Sequence, residues 1–276
     1  MTPESDYVLG THDEEIMRLG LQHRAWRSHA LAAWESAGVG PSQTALDVGC
    51  GPGYASFDLA ELVGPSGRVV AIDKSQRFLE ALDRMRRQRG LDNIATHKAD
   101  LDAGEFFPGI ADRVWCRWVL AFVKNPRDVL VRIAAALKPE GVLVLHEYFD
   151  YSTWRTAPRC SELEEFVTVV MASWRDHGGE PDIGLAVPGW LQELGFEFRC
   201  VRPIIEIGQA GHLSWGWLRS FIEVGRRRLI DLGYLSVDRS ESIWRAFTTL
   251  EATPGTRMIA PGVLEVVAVR KAKCRF

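Results

Sequence analysis

Residues 45–53 read ALDVGCGPG, an apolar segment followed directly by three glycines within five positions. The first five residues are apolar enough to predict a buried strand, and a helical pattern, SFDLAELV, follows at residues 56–63. Glycine has no Cβ and tolerates positive φ, so such a turn lets the backbone approach a ligand closely. Open α/β sheets bind ligands beyond the carboxyl ends of their strands. The stretch therefore predicts the first strand of such a sheet and a ligand-binding turn.

The alternation of strand and helix patterns continues from about residue 41 to residue 150. The five strand patterns are residues 45–49, 68–73, 93–100, 112–119 and 142–148. Helical patterns between them include residues 77–90 and 128–141. This alternation predicts a mostly parallel sheet with helices on both faces, the arrangement of an α/β fold.

The remaining segments are predicted to pack around this core. They are an N-terminal helical cap (1–38), two helical lid insertions (151–186 and 208–260) and two final strands (196–207 and 262–272). With these strands the predicted sheet has about seven members. No linker rich in glycine, serine or proline separates the segments, which favours a single domain over residues 1–276 with residues 41–150 as its ligand-binding core.

An acidic residue, Asp73, ends the second strand pattern, 20 positions beyond Gly53. A carboxylate at this place can accept hydrogen bonds from both hydroxyls of a ribose. Taken alone, Asp73 is equally well explained as a surface residue before a helix that Ser75 caps. Next to the glycine turn, the ribose role is the favoured interpretation.

The spacing of the glycines distinguishes between two classes of ligand. Dinucleotide sites use G-x-G-x-x-G, whose third glycine brings a helix N-terminus to the pyrophosphate. Here the pattern is G-x-G-x-G, and the residues that follow it, Tyr54, Ala55 and Ser56, do not supply a third glycine at the dinucleotide spacing. The carboxylate of Asp47 would repel a diphosphate but suits the ammonium group of a methionine moiety.

These motifs resemble the class I S-adenosylmethionine-dependent methyltransferases, and most of all the branch of ubiquinone/menaquinone-type small-molecule enzymes. Five blocks carry the resemblance in order: LDVGCGPG (46–53), VVAID (69–73), KADLD (98–102), DRVWCRWVLAFVKNP (112–126) and LKPEGVLVLHEY (137–148). The resemblance implies a Rossmann-like class I methyltransferase fold. It also implies S-adenosyl-L-methionine as cofactor and S-adenosyl-L-homocysteine as product.

The resemblance further implies a set of cofactor-binding residues. The set comprises Tyr7, Arg18, Gln22, Asp47, Gly49, Gly51, Gly53, Asp73, Lys74, Asp100, Leu101, Arg117 and Trp118. By resemblance, Asp73 holds the ribose, Asp100 and Leu101 contact the adenine, and Arg117 lies near the methionine carboxylate or the sulfonium. A segment before the first strand often closes over the cofactor in this branch, and His23 is a further candidate there.

Two residues at the end of the fifth strand, His146 and Glu147, are predicted to be catalytic. Methyl transfer needs a general base only if the acceptor must lose a proton. An imidazole with its ordinary pKa of about 6.5 suits that task near neutral pH. The alternative interpretation is that these side chains only cap the sheet or bond a loop.

The later segments are rich in tryptophan. They include Trp154, Trp174, Trp190, Trp215, Trp217 and Trp244. Core packing explains most aromatic residues at helical spacing. Some of them are nevertheless expected to cover a substrate, because small-molecule pockets are mainly apolar and aromatic. The predicted acceptor is therefore a small apolar or aromatic molecule.

Composition and charge exclude several other classes of function. A net charge of -3 argues against a nucleic-acid partner. No apolar run approaches the ~20 residues of a membrane span, and the first residues do not resemble a signal peptide, so a cytoplasmic protein is expected. Five scattered cysteines predict neither disulfides nor a metal site. Whether the chain forms a homodimer is left open.

Two alternatives to methyl transfer stay open at this point. A binding-only protein that keeps S-adenosylmethionine as a structural ligand would carry the same cofactor residues. An NAD-type oxidoreductase would bind NAD and should carry its third glycine one residue later. Turnover of the methyl donor tests the first alternative, and calorimetry with the two cofactors tests the second.

Overall fold

The computed structural model describes residues 13–104 and 107–271. Its strands, numbered in chain order, are β1 (Thr44–Val48), β2 (Arg68–Asp73), β3 (Ile94–Lys98), β4 (Ala111–Arg117), β5 (Leu137–Asp150), β6 (Arg155–Ala157), β7 (Phe196–Ile204), β8 (Ile207–Gly208), β9 (Arg257–Ile259) and β10 (Gly262–Arg270). Its helices are α1 (Asp13–Ala37), α2 (Tyr54–Val63), α3 (Gln76–Gln88), α4 (Pro126–Ala136), α5 (Ser161–Asp176), α6 (Val187–Glu193), α7 (Leu213–Asp231) and α8 (Val237–Ala252). None of these helices combines the length and the apolar character of a membrane span.

Seven strands form one sheet in the order β3-β2-β1-β4-β5-β10-β7. The pairs among β1 to β5 are parallel, whereas β10 runs antiparallel to both β5 and β7. The chain moves outward from β1 to β3 and then returns to the other side of β1 as β4. Beyond the carboxyl ends of β1 and β4, the strand order therefore reverses, and a crevice is expected there. The predicted mostly parallel seven-stranded sheet is confirmed.

Helices cover both faces of this sheet, as predicted. On one face, Trp34 of α1, Phe57 of α2 and Leu79 of α3 belong to one buried cluster. On the opposite face, Ile133 of α4 and Leu191 of α6 belong to another. The apolar residues of the strands contribute to both clusters, because successive side chains of a strand point to opposite faces.

The fifth strand begins earlier than the sequence pattern indicates. The helix was expected to be closed by Pro139 and Gly141, but α4 already ends at Ala136 and β5 starts at Leu137. Proline at position 139 explains the difference, because it has no N–H to donate within a helix and disfavours helical φ/ψ in the preceding residue, Lys138.

The two segments predicted as lid insertions (151–186 and 208–260), here called the lid for brevity, contain more than the predicted helices. α5, α7 and α8 pack together, and β6, β9 and β8 form a second, three-stranded sheet within the same segments. Strands of two or three residues are too short to show an alternating pattern, so the sequence analysis missed them. Within the first predicted lid insertion (151–186), α5 occupies Ser161–Asp176.

Candidate functional site

Two neighbouring clefts open beyond the carboxyl ends of β1, β2 and β4. The larger, here the main cleft, has a volume of about 840 Å³, and the smaller, the side cleft, has about 450 Å³. The residues that line both are Leu19, Gln22, Gly49, Gly51 and Arg117. The two clefts therefore share one wall, made by α1, the glycine turn and the end of β4.

Most of the predicted cofactor residues line the main cleft. They are Gln22, Gly49, Gly51, Asp73, Lys74, Asp100, Leu101, Arg117 and Trp118. The main cleft is also lined by residues that were not predicted to bind the cofactor: Leu19, Ser75, Phe78, Asp102, Val119, Phe122 and Val123. Ser75 caps α3 by accepting from the backbone N–H of Phe78, so the predicted cap after Asp73 is confirmed, and the first turn of α3 brings Phe78 to the cleft wall.

The three glycines of the turn all have positive φ, but they serve different purposes. A Cβ at Gly49 would lie 2.4 Å from a methyl of Val119, and one at Gly53 would lie 2.4 Å from Leu82 Cγ. A Cβ at Gly51 would meet nothing closer than 3.9 Å. Gly53 lines neither cleft, so its role in the structure is packing against α3. Gly51 is the glycine whose bare side faces the open clefts.

The carboxylate of Asp73 joins the glycine turn to the start of α3. Its Oδ2 accepts from Gly51 N at 2.8 Å, and its Oδ1 accepts from Ser75 N at 2.8 Å. Burial raises the pKa of Asp73, although these two backbone donors oppose the shift. Each carboxylate oxygen has a second lone pair, so Asp73 can still accept hydrogen bonds from a ligand in the main cleft.

The loop after β3 forms another wall of the main cleft. Asp100 Oδ1 accepts from Asp102 N at 2.9 Å, and the Asp102 carboxylate accepts from Lys124 N and Asn125 N at the start of α4. Leu101 lies between these anchored residues and is buried. The loop therefore presents an apolar side chain at a fixed position.

Asp47 lies beneath the turn rather than in either cleft. The residue is 2% exposed, and its Oδ2 accepts from Ser56 Oγ at 2.6 Å. Burial raises its pKa to about 6, although Ser56 and the charge of Arg117 oppose the shift. Asp47 therefore interacts electrostatically with Arg117 but is not exposed to a ligand ammonium group.

The N-terminal helix contributes Gln22 to the clefts but not Arg18. Arg18 makes a buried ion pair with Glu15 at 2.6 Å and donates to Gln22 Oε1 at 2.9 Å. Gln22 Oε1 also accepts from Trp217 Nε1 at 3.1 Å, which connects the lid to the cleft wall. Arg18 therefore positions Gln22 through a hydrogen bond and does not line a cleft itself. The other predicted residue of this segment, Tyr7, lies outside the described residues.

One terminal nitrogen of Arg117 donates a hydrogen bond, and the other has no partner in the part of the chain that the structure describes. Its Nη2 donates to His23 Nδ1 at 3.1 Å. Its Nη1 is shielded from solvent and has no hydrogen-bond partner among the described residues. Burial lowers the pKa of Arg117 to about 10, although Asp47 opposes the shift, so the guanidinium stays charged at neutral pH. An unpaired buried donor is costly, and an anionic group in the clefts would satisfy it.

The two predicted catalytic residues line neither cleft. Both are fully buried. His146 Nε2 lies 3.0 Å from Glu265 Oε2, and burial lowers its pKa to about 4. Glu147 Oε1 accepts from Val119 N at 2.7 Å and Leu120 N at 2.8 Å, and burial raises its pKa to about 8. A general base must reach the proton that it removes, so this geometry fits the loop-bonding interpretation of Glu147 rather than a role as base.

A stack of aromatic rings separates the main cleft from the lid. Trp118, at φ +53, lies parallel to Tyr148 with ring centres 5.2 Å apart and parallel to Trp217 at 5.7 Å. Trp26 meets the Trp118 ring edge-on at 5.2 Å. The lid helices thus pack on the residue that follows β4, although none of their own residues lines either cleft.

Comparison with known proteins identifies the family. A methyltransferase domain family matches residues 40–177. The ubiquinone/menaquinone biosynthesis C-methyltransferase of Hydrogenovibrio crunogenus is 27% identical over 172 residues, which are 57% of this chain and 66% of that protein. The nocamycin O-methyltransferase of Saccharothrix syringae is 35% identical over 101 residues, which are 37% of this chain and 36% of that protein. The chain thus spans less than two thirds of these relatives.

The solved structures agree on the fold. The geranyl diphosphate C-methyltransferase of Streptomyces coelicolor superposes with a TM-score of 0.56 at 15% identity, over 90% of this chain and 77% of that one. The clefts also fit the family's cofactor in three respects: the Asp73 carboxylate at the end of β2, the bare backbone of Gly51, and the unpaired Nη1 of Arg117. The chain belongs to the class I S-adenosylmethionine-dependent methyltransferases.

Proposed function

We propose that this protein transfers the methyl group of S-adenosylmethionine to a small apolar or aromatic molecule. The observation that carries the proposal is the convergence of Asp73, Gly51 and the unpaired Arg117 nitrogen on one crevice. When bound, S-adenosylmethionine supplies an electrophilic methyl group on its sulfonium, and the protein supplies position and electrostatics.

In this proposal the main cleft holds the adenosine part of the cofactor. Asp73 accepts from the ribose hydroxyls with the lone pairs that Gly51 N and Ser75 N leave free. Leu101 and Phe78 offer apolar surface to the adenine, and both are buried residues at the cleft wall. Lys74 and Asp100 are exposed at its edge.

The amino-acid part of the cofactor is assigned to the side cleft. Arg117 lines both clefts, and its Nη1 is the donor that a carboxylate would satisfy. An ion pair with hydrogen bonds in a shielded place is stronger than one in water, because the effective dielectric constant is lower. Arg117 would therefore fix one end of the cofactor while Asp73 fixes the other, which orients the methyl group between them.

The first helix would shield this arrangement from water. Tyr54 donates from its hydroxyl to the carbonyl of Ile16 at 3.1 Å, so α1 is tied directly to the start of α2. A Cβ at Gly20 would lie 2.8 Å from the Tyr54 ring, which shows how closely the two helices approach. Leu19 and Gln22 extend from the same helix over the glycine turn.

The class of acceptor is inferred from the apolar part of the cleft lining. Trp118, Val119, Phe122 and Val123 line the main cleft, and Trp118 stacks on Trp217 of the lid. Pockets lined in this way favour apolar and aromatic ligands. The names of the two relatives include both a C- and an O-methyltransferase, so the proposal does not extend to the acceptor atom.

The proposal is tested with S-adenosylmethionine that carries a deuterated methyl group. The full chain is incubated with this donor and a panel of phenols, hydroquinones and terpenoids, and products are identified by mass spectrometry. We expect labelled product and S-adenosylhomocysteine to form in equal amounts. Asp73→Asn should reduce both, whereas Asp83→Asn, an aspartate on α3 that lines neither cleft, should not. Tight binding of S-adenosylhomocysteine without transfer to any acceptor would instead support the binding-only alternative.

A further inference from the structure

A row of four polar side chains leads from the protein surface to the clefts. Arg27 donates from Nε to Asp58 Oδ2 at 2.8 Å, and His23 Nε2 lies 3.0 Å from the same oxygen. The other ring nitrogen of His23, Nδ1, lies 3.1 Å from Arg117 Nη2. The row combines two residues of α1, one of α2 and one at the end of β4. It therefore links the helix that covers the clefts to the cation that lines them.

The hydrogen-bond partners fix the tautomer of His23. Arg117 has only donors, so Nδ1 of His23 must accept, and the ring proton must be on Nε2, where it is donated to Asp58. Burial lowers the pKa of His23, and although Asp58 opposes the shift, the charge of Arg117 adds to it. Burial acts to raise the pKa of Asp58, but its bonds to His23 and Arg27 hold it below the usual value. The stable state is thus a neutral imidazole between a carboxylate and a guanidinium.

This arrangement determines which nitrogen of Arg117 is available. Nη2 is held by His23, and the guanidinium carbon lies 5.4 Å from the Trp115 ring centre and 5.0 Å from that of Trp118. Two ring contacts and one hydrogen bond restrict the rotation of a side chain that is otherwise flexible. Nη1 is the terminal nitrogen that is shielded from solvent and has no hydrogen-bond partner among the described residues.

We propose that His23 and Asp58 are positioning residues that orient Arg117 toward the carboxylate of S-adenosylmethionine. The proposal rests on the function proposed above and assigns the pair no contact with the reacting atoms. Neutral His23 accepts from Nη2, Asp58 holds His23 in that tautomer, and Nη1 is thereby presented to the carboxylate. Protonation of His23 removes the acceptor and places a second cation beside Arg117, so the orientation is lost.

The ionisable groups around His23 set the form of the expected pH dependence. Asp58 and Tyr54 face it from α2, Arg27 from α1 and Arg117 from β4. Asp47, whose pKa burial raises to about 6, acts on Arg117 from β1. Affinity for S-adenosylhomocysteine should fall as the pH falls through the pKa of His23. A variant without the imidazole separates the titration of His23 from that of Asp47.

The experiment measures the affinity of the full chain for S-adenosylhomocysteine and for 5′-methylthioadenosine, which lacks the amino-acid end. His23→Leu removes the acceptor, and His23→Asn keeps an oxygen that can accept from Arg117 but does not titrate. We expect His23→Leu to weaken S-adenosylhomocysteine binding about 10- to 100-fold, the usual cost of one lost bond to a charge. Binding of 5′-methylthioadenosine should change less than about 2-fold, within measurement error for distant sites. His23→Asn should restore most of the affinity and show a weaker loss at acidic pH than the parent.

A matched control is available on the same helix. His29 also pairs with a carboxylate, Glu206, at 2.6 Å, but it lines neither cleft, so His29→Leu should bind both ligands like the parent. Equal losses for both ligands in His23→Leu, or the same pH profile in His23→Asn and the parent, would overturn the positioning role. If the parent itself fails to bind S-adenosylhomocysteine at any pH, the proposed function fails first, and the positioning role fails with it.

Discussion

The crevice, which comprises the main cleft and the side cleft, and the lid are held together by different interactions. Around the crevice, carboxylates accept hydrogen bonds from backbone N–H groups: Asp73 joins the glycine turn to the start of α3, and the buried Glu147 anchors the turn after β4 from behind the cleft lining. In the lid, aromatic rings contact one another, as Trp217 does with Trp118. Polar bonds of this kind fix the position of a few atoms, whereas aromatic packing removes large apolar area from water. We therefore expect changes in the crevice to affect ligand binding and changes in the lid to affect stability.

The largest expected effect is that of Trp217→Ala in the lid. Trp217 is 2% exposed and stacks on Trp118, so its removal leaves a cavity and should lower the free energy of unfolding by about 3–5 kcal/mol. Denaturant unfolding measures the loss, and Trp217→Phe should lose clearly less. If Trp217→Ala unfolds at the parent's midpoint but no longer binds S-adenosylhomocysteine, the division between lid and crevice is wrong.

The glycine turn provides a sharper comparison within the crevice. Gly53→Ala combines a strained left-handed backbone with overlap on Leu82, so it should lower the free energy of unfolding by about 2–4 kcal/mol. Gly51→Ala should lose only about 1–2 kcal/mol from strain, but its methyl group enters the clefts and should weaken cofactor binding. Thermal unfolding and ligand titration of both variants test this. Equal stability losses in the two variants would contradict the packing role of Gly53.

The buried pair of His146 and Glu265 gives a prediction about pH. Burial lowers the pKa of His146 from 6.5 to about 4, so between these values the unfolded chain binds a proton that the folded chain does not. This contribution to stability is fully present above the higher value and is lost as the pH falls to the lower one. As the pH falls through this window, the free energy of unfolding should fall less in His146→Leu than in the parent. The difference between the two should total about 1–3 kcal/mol.

The same variant tests whether His146 acts in the crevice. Because His146 lines neither cleft, His146→Leu should bind S-adenosylhomocysteine as the parent does and keep its rate of methyl transfer. Unfolding at several pH values and a transfer assay are the two measurements. A normal stability profile with abolished transfer would restore His146 as a catalytic residue.

The smallest of these effects is expected for Asp73→Asn. The amide keeps one acceptor oxygen but turns an NH2 group toward either Gly51 N or Ser75 N. We expect binding of S-adenosylhomocysteine to weaken roughly 10-fold, equivalent to about 1.4 kcal/mol. Asp83→Asn is the matched control on α3. Unchanged affinity in Asp73→Asn would show that the Asp73 carboxylate does not bind the ribose hydroxyls.

The sequence predicted the parts of the site that depend on short stretches of chain. A turn with bare backbone after β1 and a carboxylate ending β2 are local requirements, so Gly51 and Asp73 could be named from spacing alone. His146 shows the limit of that approach. Its position near the end of β5 was correct, but strand alternation and the packing of α1 bury it against Glu265 instead of exposing it in the crevice.

The parts that escaped sequence analysis depend on contacts between distant segments. His23, Asp58 and Arg117 come together only because α1 docks on α2 and on the end of β4. No spacing rule relates residues so far apart in the chain. The cap at Ser75 could be predicted from nearby residues. The position of Phe78 at the cleft wall could not, because it depends on the direction in which α3 runs.

Calorimetry of the full chain determines whether the crevice holds S-adenosylmethionine rather than a dinucleotide. Titration with S-adenosylhomocysteine should show saturable binding at one site per chain, competed by S-adenosylmethionine, and titration with NAD under the same conditions should release no heat of binding. Saturable binding of NAD, together with no response to S-adenosylhomocysteine, would contradict the account.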